Sequence, residues 1–167
     1  TGSLFAFQQF KVEPDILTLA KGMGGGMPIG AFIASKKIMS TLAKNPPFGH
    51  ITTFGGHPVS CAAAIATLSS LIHDDIIEQV SEKGKLFVSL LKHQASKEIR
   101  AVGLLIAIDF GNPSLVDNLV KECLKRGIIG FWFLSNKGSF RLAPPLIITV
   151  NQIHFACQEI IKAIGVV

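Results

Sequence analysis

The strongest constraint on this chain is a run of four glycines within five residues, Gly22-Met23-Gly24-Gly25-Gly26, entered directly from Lys21. Glycine has no Cβ and loses the most freedom on ordering, so such a run is unfit for the interior of a helix or strand. It belongs where backbone must pass close to something bulky. The apolar residues Ile16, Leu17, Leu19 and Ala20 lead into Lys21, and residues 30–35 (GAFIAS) read as a short buried strand beyond the glycines. A lysine amine is nucleophilic at neutral pH only when its ammonium form is disfavoured, by desolvation or by a neighbouring cation. The apolar approach supplies the first of these and makes Lys21 a candidate nucleophile. On spacing alone, an ordinary surface lysine beside a flexible loop fits as well. A Walker-type phosphate loop needs its lysine after the glycines, and a dinucleotide fingerprint needs glycine where Met27 stands, so a nucleotide-binding module is disfavoured.

Composition narrows the class. The chain has 167 residues, 49% hydrophobic and only 16% charged, which is enough apolar material for a core and too much for a disordered segment. It is apolar enough to expect that a partner or further sequence covers part of its surface. The net charge of +5 is scattered, and its longest basic cluster is Lys36-Lys37, so neither a nucleic-acid arm nor a polybasic membrane patch is present. Cys61, Cys123 and Cys157 sit in apolar, helical-looking stretches without metal-ligand spacing, which reads as buried thiols in a reducing compartment. No apolar run approaches the roughly 18 residues of a membrane span, and no signal peptide is visible. A cytoplasmic location is expected, with the mitochondrial matrix as the alternative. The opening Thr1-Gly2-Ser3, without Met, reads as a cut inside a longer protein.

Along the chain, a short helix and a loop over residues 36–56 lead to a helix that starts at Pro58, whose missing N–H suits the first helical position. The body of that helix, 59–72, is rich in Ala and Ser, so something packs closely against it. Asp74 is placed to cap a second helix, in which Ile76, Ile77, Val80, Phe87, Leu90 and Leu91 recur near helical period. Residues 102–110 (VGLLIAIDF) read as one strand, and 113–126 as a helix capped by Asn112 and stopped by Gly127. Strands are expected at 128–134 and 140–142, and a closing helix begins with the capping box Thr149-x-x-Gln152. The pattern predicts two partial domains. Residues 1–74 end one, 75–98 form a connecting helix, and 99–167 make a compact α+β unit.

Two further places hold candidate ligand groups. Thr52 and Thr53 stand on a loop loosened by Gly55-Gly56, just before a helix start with free N–H groups. That is a plausible anion site, and equally an ordinary helix N-terminus. Arg141, one of three arginines, lies among apolar residues in SFRLAPPL, where a buried guanidinium needs an anion. Its planar fork suits a carboxylate, although protein carbonyls or an internal acid would also satisfy it. Arg126 is expected at a helix end, served by the helix dipole. His57 reads as a structural residue at the start of a helix.

The stretch PDILTLAKGMGGGMPIGAFIAS resembles the cofactor-lysine signature of class III (fold-type I) aminotransferases over more than twenty consecutive positions. HITTFGGHP resembles the same family's phosphate-contacting segment, with Thr52 for the commoner Ser and His57 for the usual Asn. SFRLAPPL resembles its C-terminal arginine signature. The resemblance implies an α/β fold: the end of the fold-type I large domain plus a C-terminal α+β small domain. It implies pyridoxal 5'-phosphate as cofactor, in a Schiff base with Lys21. Thr52 and Thr53 are then cofactor-binding, and Thr53 reaches the neighbouring site of a homodimer. Arg141 takes the substrate α-carboxylate. The implied reaction moves an amino group from acetylornithine, ornithine or an ω-amino acid to 2-oxoglutarate. The family's aspartate that pairs with the pyridinium nitrogen is expected upstream of Thr1, so an inactive fragment or a dimerisation domain is the alternative, and the isolated chain is expected to be nearly inactive.

Overall fold

The computed structural model describes residues 1–47 and 50–167, so Phe48 and Gly49 of the expected 45–56 loop lie outside the described residues. It resolves into two compact units, Phe5–Asp75 and Thr1–Leu4 with Ile76–Val167.

In the unit Phe5–Asp75, a 3-10 turn at Ala6–Phe10 precedes strand β1 (Ile16–Leu19), which pairs antiparallel with β2 (Ala31–Ala34) in the register Ile16↔Ala34. The short helix α1 (Lys36–Met39) is capped by the Ser35 hydroxyl, which accepts from the Ile38 N–H. Helix α2 (Pro58–His73) begins with proline at its first position, and His57 stands at the N-cap without a side-chain capping bond, its ring tilted against Phe54. The small residues of α2 meet the glycine loop: a Cβ on Gly25 would lie 2.2 Å from Thr67 Oγ1 and 3.5 Å from the Ala63 carbonyl. Among the described residues of this unit only Gly24 and Ser60 are buried, whereas Phe32, Ile33, Ile65, Leu68 and Ile72 are exposed. Among its described residues this unit has no hydrophobic core of its own.

The second unit has one. Helix α3 (Ile76–Leu90) leads to strands β3 (Glu98–Val102) and β4 (Leu105–Asp109), helix α4 (Pro113–Lys125), strands β5 (Phe131–Trp132) and β6 (Ser139–Leu142), and helix α5 (Val150–Ile164). The strands form an antiparallel sheet in the order β3-β4-β6-β5. Ile106 and Ile108 of β4 and Phe140 and Leu142 of β6 form one buried cluster with residues from all three helices. Val116, Leu119 and Cys123 recur at helical period on α4, and Ile153, Cys157 and Ile160 on α5. Asn112 Oδ1 caps α4 through the N–H groups of Ser114 and Leu115, and Thr149 and Gln152 form the expected capping box on α5.

The structure departs from the sequence reading at four places. The apolar run 102–110 is a hairpin, because Gly103 takes φ +57° and turns the chain between β3 and β4. That turn packs so tightly on α3 that a Cβ on Gly84 would lie 2.2 Å from the Gly103 carbonyl oxygen. Asp74 is the C-cap of α2, its N–H donating to the Ser70 carbonyl, where the sequence placed it at the start of α3. Pairing with β6 is confined to Phe131 and Trp132, so most of 128–134 is irregular. Arg126 does stand at a helix end, but its charge is met by carboxylates: it bonds Glu122 at 3.0 Å and Glu159 at 3.4 Å, tying α4 to α5. Lys125 first and Arg126 second hold the Glu122 carboxyl below its ordinary range, and Lys162 and then Arg126 do the same for Glu159. Their contribution is therefore present above the ordinary carboxylate pKa and is lost as pH falls through the lowered values.

Burial pushes the Cys123 thiol up to about 11 and the Cys157 thiol up to about 12, while Cys61 is only half-buried. At pH 8 the thiolate fractions of the two buried thiols are then on the order of 10⁻³ or less. Iodoacetamide treatment of the native full-length protein, mapped by mass spectrometry, is expected to spare Cys123 and Cys157 and to reach both after unfolding. Rapid native labelling of either one contradicts the packing described here.

Candidate active site

Lys21 follows β1 and opens a 3-10 turn, Lys21–Gly24, which closes on Gly25 at φ +56°. In β1 the half-buried positions alternate, with Leu17 and Leu19 inward. Continued alternation would turn Lys21 inward too. Instead Lys21 itself takes φ +55°, a left-handed conformation costing a side-chain-bearing residue about 1–2 kcal/mol, and the side chain leaves the strand's inner face. The expected shelter from the apolar run is therefore not supplied by the described residues: Lys21 is exposed. Among those residues its amine makes no ion pair or hydrogen bond.

The glycines after it differ in what they are for. Gly25 is required by its φ and by the close passage of α2. At Gly22, next to Lys21, a Cβ would meet nothing within 4 Å, and the backbone is not left-handed. Nothing in this chain's own packing accounts for Gly22. The open space beside it has room for a bulky group joined to the neighbouring amine.

Thr52 and Thr53 are exposed on the turn before α2, where the Gly55 N–H donates to the Thr52 carbonyl at 3.4 Å. A Cβ on Gly55 would fall 2.6 Å from Thr52 Oγ1, so the glycine makes room for that hydroxyl. Neither hydroxyl is hydrogen-bonded among the described residues. The Lys21 amine would suit an aldehyde, and the Thr52 and Thr53 hydroxyls before the start of α2 would suit a phosphate. The residues of this unit fit pyridoxal phosphate.

Arg141 belongs to the other unit. It lies on β6 opposite Ala107 of β4 and Phe131 of β5. The expectation that it is buried is corrected: with Phe140 and Leu142 turned into the core, Arg141 must face outward, and it is exposed. Its Cζ stands 6.0 Å from the centroid of the Phe131 ring and 5.7 Å from that of Phe133. It also borders a pocket of about 450 Å³ shared with Leu142, Pro144, Pro145 and Ile148. Arg100 pairs with Glu98 and Asp109, and Arg126 with Glu122 and Glu159, whereas Arg141 has no acidic partner among the described residues. The internal acid that the sequence left open is therefore absent among them. The aromatic neighbours were not foreseen, because a side chain two residues from a strand's pairing partner is found only once the register is known.

Among the described residues no group of His, Cys, Asp and Glu could hold a metal ion, and no single helix is long and apolar enough to cross a membrane.

Solved structures to which the chain is similar include aminotransferases. The chain superposes on a Bacillus anthracis aminotransferase with a TM-score of 0.91 at 28% identity, covering 100% of this chain and 42% of that one. On the ornithine aminotransferase of Toxoplasma gondii, whose active site holds PLP at partial occupancy, the TM-score is 0.87 at 32% identity, covering 100% and 40%. These neighbours mark a fold-type I aminotransferase architecture. The family model for class-III aminotransferases matches residues 1–164, and the chain belongs to that family. It is 44% identical to an acetylornithine aminotransferase of Haemophilus ducreyi over 92% of this chain and 38% of that protein. It is 41% identical to a putrescine aminotransferase of Pectobacterium atrosepticum over 97% and 35%. The chain thus spans little more than a third of the length of these two relatives.

The two glycines predict opposite outcomes. Gly25→Ala, which meets both Thr67 and a left-handed φ, should destabilise the full-length protein by roughly 1–3 kcal/mol. Gly22→Ala should leave stability within about 1 kcal/mol, because the new methyl meets nothing. Thermal melting of the two variants compares them directly, and equal losses would refute the assignment of Gly25 to packing and Gly22 to the ligand.

Proposed function

We propose that this chain is part of a pyridoxal-phosphate-dependent aminotransferase that moves an amino group from an amino acid to a 2-oxo acid, with Lys21 as the catalytic residue. The observation that carries this reading is the unpaired Lys21 amine at the head of a glycine loop with open space beside Gly22. When bound, the cofactor supplies an aldehyde that condenses with amines and a ring that accepts electrons from the substrate Cα. Lys21 Nζ holds the cofactor at rest and, once the substrate amine has taken its place, accepts and returns the proton at the carbon that bears that amine. The Thr52 and Thr53 hydroxyls donate to the phosphate, and in a homodimer Thr53 does so for the neighbouring site. Arg141 binds the α-carboxylate of the 2-oxo acid and of the amino acid formed from it through its fork, and so fixes which bond at that Cα is presented.

The substrate reading rests on the relatives. Acetylornithine and putrescine aminotransferases both take a terminal amine on a short carbon chain, so the donors proposed are acetylornithine, ornithine or an ω-amino acid, with 2-oxoglutarate as acceptor. Residues 1–74 are proposed as the end of the cofactor-binding large domain, 75–98 as a connecting helix and 99–167 as the small domain. One observation favours a second reading for the 167-residue chain on its own: the unit carrying Lys21, Thr52 and Thr53 buries only Gly24 and Ser60 among its described residues. Alone, the chain is then catalytically incomplete.

Borohydride reduction of the cofactor-loaded full-length protein, followed by peptide mapping, is expected to leave the cofactor mass on Lys21. Lys21→Ala should abolish that adduct and lower turnover by about 10²–10⁴-fold or more. Arg141→Ala should raise KM for 2-oxoglutarate by roughly tenfold to a hundredfold, the loss of a charge-assisted fork. An adduct on any other lysine sinks the assignment.

A further inference from the structure

Lys21 keeps a left-handed backbone, which a residue with a side chain adopts only where its surroundings over-determine it. Two hydrogen bonds hold the turn locally: the Met23 N–H donates to the Ala20 carbonyl and the Gly25 N–H to the Gly22 carbonyl, both at 3.2 Å. A single 3-10 turn is poorly bonded by itself, so packing has to supply the rest. Two side chains provide it. A Cβ on Gly24 would lie 2.9 Å from Ile29 Cγ2, and one on Gly25 would strike Thr67 Oγ1. Ile29 belongs to the same loop, whereas Thr67 stands on α2. Ser60, Ala63, Ala64, Thr67 and Leu71 form the covered face of that helix at helical period. The Thr67 rotamer is fixed twice, by its branched Cβ and by its hydroxyl, which donates to the Ala63 carbonyl at 2.9 Å. Threonine is a poorer helix former than the alanines around it, so helix propensity does not account for it there.

We propose that Thr67 is a positioning residue for Lys21: its rigid side chain is the stop against which Gly25 closes, and it holds the Lys21 turn, and with it the direction of the amine, on helix α2. This rests on the reading of Lys21 as the residue that condenses with the cofactor aldehyde. An amine on a turn free to relax presents several directions, and only some of them approach a carbonyl carbon productively. The missing order would then have to be imposed as the bond forms. Helix α2 also starts shortly after the Thr52–Thr53 loop. Pyridoxal, which lacks the phosphate, separates an effect on the amine from an effect on that loop.

The full-length protein, freed of cofactor, is mixed with pyridoxal phosphate or with pyridoxal, and the absorbance of the Schiff base is followed in time. Thr67→Ala removes the stop and keeps the helix, since alanine is the better helix former. It is expected to slow Schiff-base formation roughly three- to thirtyfold with both aldehydes. In the loaded enzyme kcat should fall by a similar factor while KM for 2-oxoglutarate changes less than about twofold. Thr67→Ser keeps the hydroxyl that bonds Ala63 and should restore both rates. Wild-type rates of Schiff-base formation in Thr67→Ala overturn the positioning role, whether or not the variant melts at a lower temperature, which is all that a merely structural residue would change. Slowing with pyridoxal phosphate alone overturns it too, and assigns Thr67 to the phosphate loop. Both outcomes leave the reading of Lys21 intact. If instead Lys21→Ala forms the Schiff base as the wild type does, that reading fails, and the role of Thr67 falls with it.

Discussion

The alternation of β6 is the constraint on which the second unit's chemistry depends. Phe140 and Leu142 fill the core under α3, α4 and α5, and a strand cannot turn consecutive side chains to one face. Arg141, between them, is forced outward. A one-residue slip against β4 would bring Arg141 into the apolar cluster and lift Phe140 and Leu142 out of it, a change that costs several kcal/mol on the apolar side alone. The site residue is therefore held in direction by its neighbours' burial and needs no bond of its own. The same register sets Phe131 opposite it. Core packing and site geometry are here one fact seen from the two faces of a sheet.

Close backbone passages do comparable work, and they show that glycines in one chain answer to different causes. At Gly84 a Cβ would strike the Gly103 carbonyl oxygen at 2.2 Å, so the seating of α3 on the β3–β4 turn depends on its absence. An alanine there would favour the helix by only about 1 kcal/mol, too little to offset a backbone clash that side-chain motion cannot relieve. At Gly25 the obstacle is Thr67, whose hydroxyl donates to the Ala63 carbonyl at 2.9 Å. Gly22 has no such obstacle. At Gly22 neither a left-handed backbone nor packing among the described residues demands glycine.

Much of this was legible in the sequence because the signals were local. Asn112, Pro58 and the Thr149–Gln152 box mark helix starts through bonds within one turn, and the apolar spacing of α4 and α5 gives their buried faces directly. The run 102–110 was misread because uninterrupted apolar residues look the same in one long strand as in two short ones, and only the left-handed Gly103 separates them. The outward turn of Lys21 was hidden for a related reason: strand alternation predicts an inward lysine, and a single positive φ reverses it. The rings beside Arg141 were beyond reach, since cross-strand partners ten residues apart in sequence are fixed by pairing and not by spacing. Family resemblance named the chemistry of Lys21, Thr52, Thr53 and Arg141, but it could not say what surrounds them.

What these four residues have in common is that the protein leaves their polar atoms unspent. Some polar side chains elsewhere are used within the fold, Thr67 on a helix carbonyl, Lys83 on the Leu146 carbonyl and Arg126 across two helices, whereas the buried Ser139 hydroxyl has no hydrogen-bond partner among the described residues. A donor that is already satisfied has little to gain from a ligand, because binding only exchanges one hydrogen bond for another. An amine, a hydroxyl or a guanidinium without an acceptor among the described residues has more to gain from a ligand than a satisfied donor does. Preorganisation then matters more than attraction. The fixed turn at Lys21 and the glycine beneath the Thr52 hydroxyl each reduce the ordering that a ligand must impose.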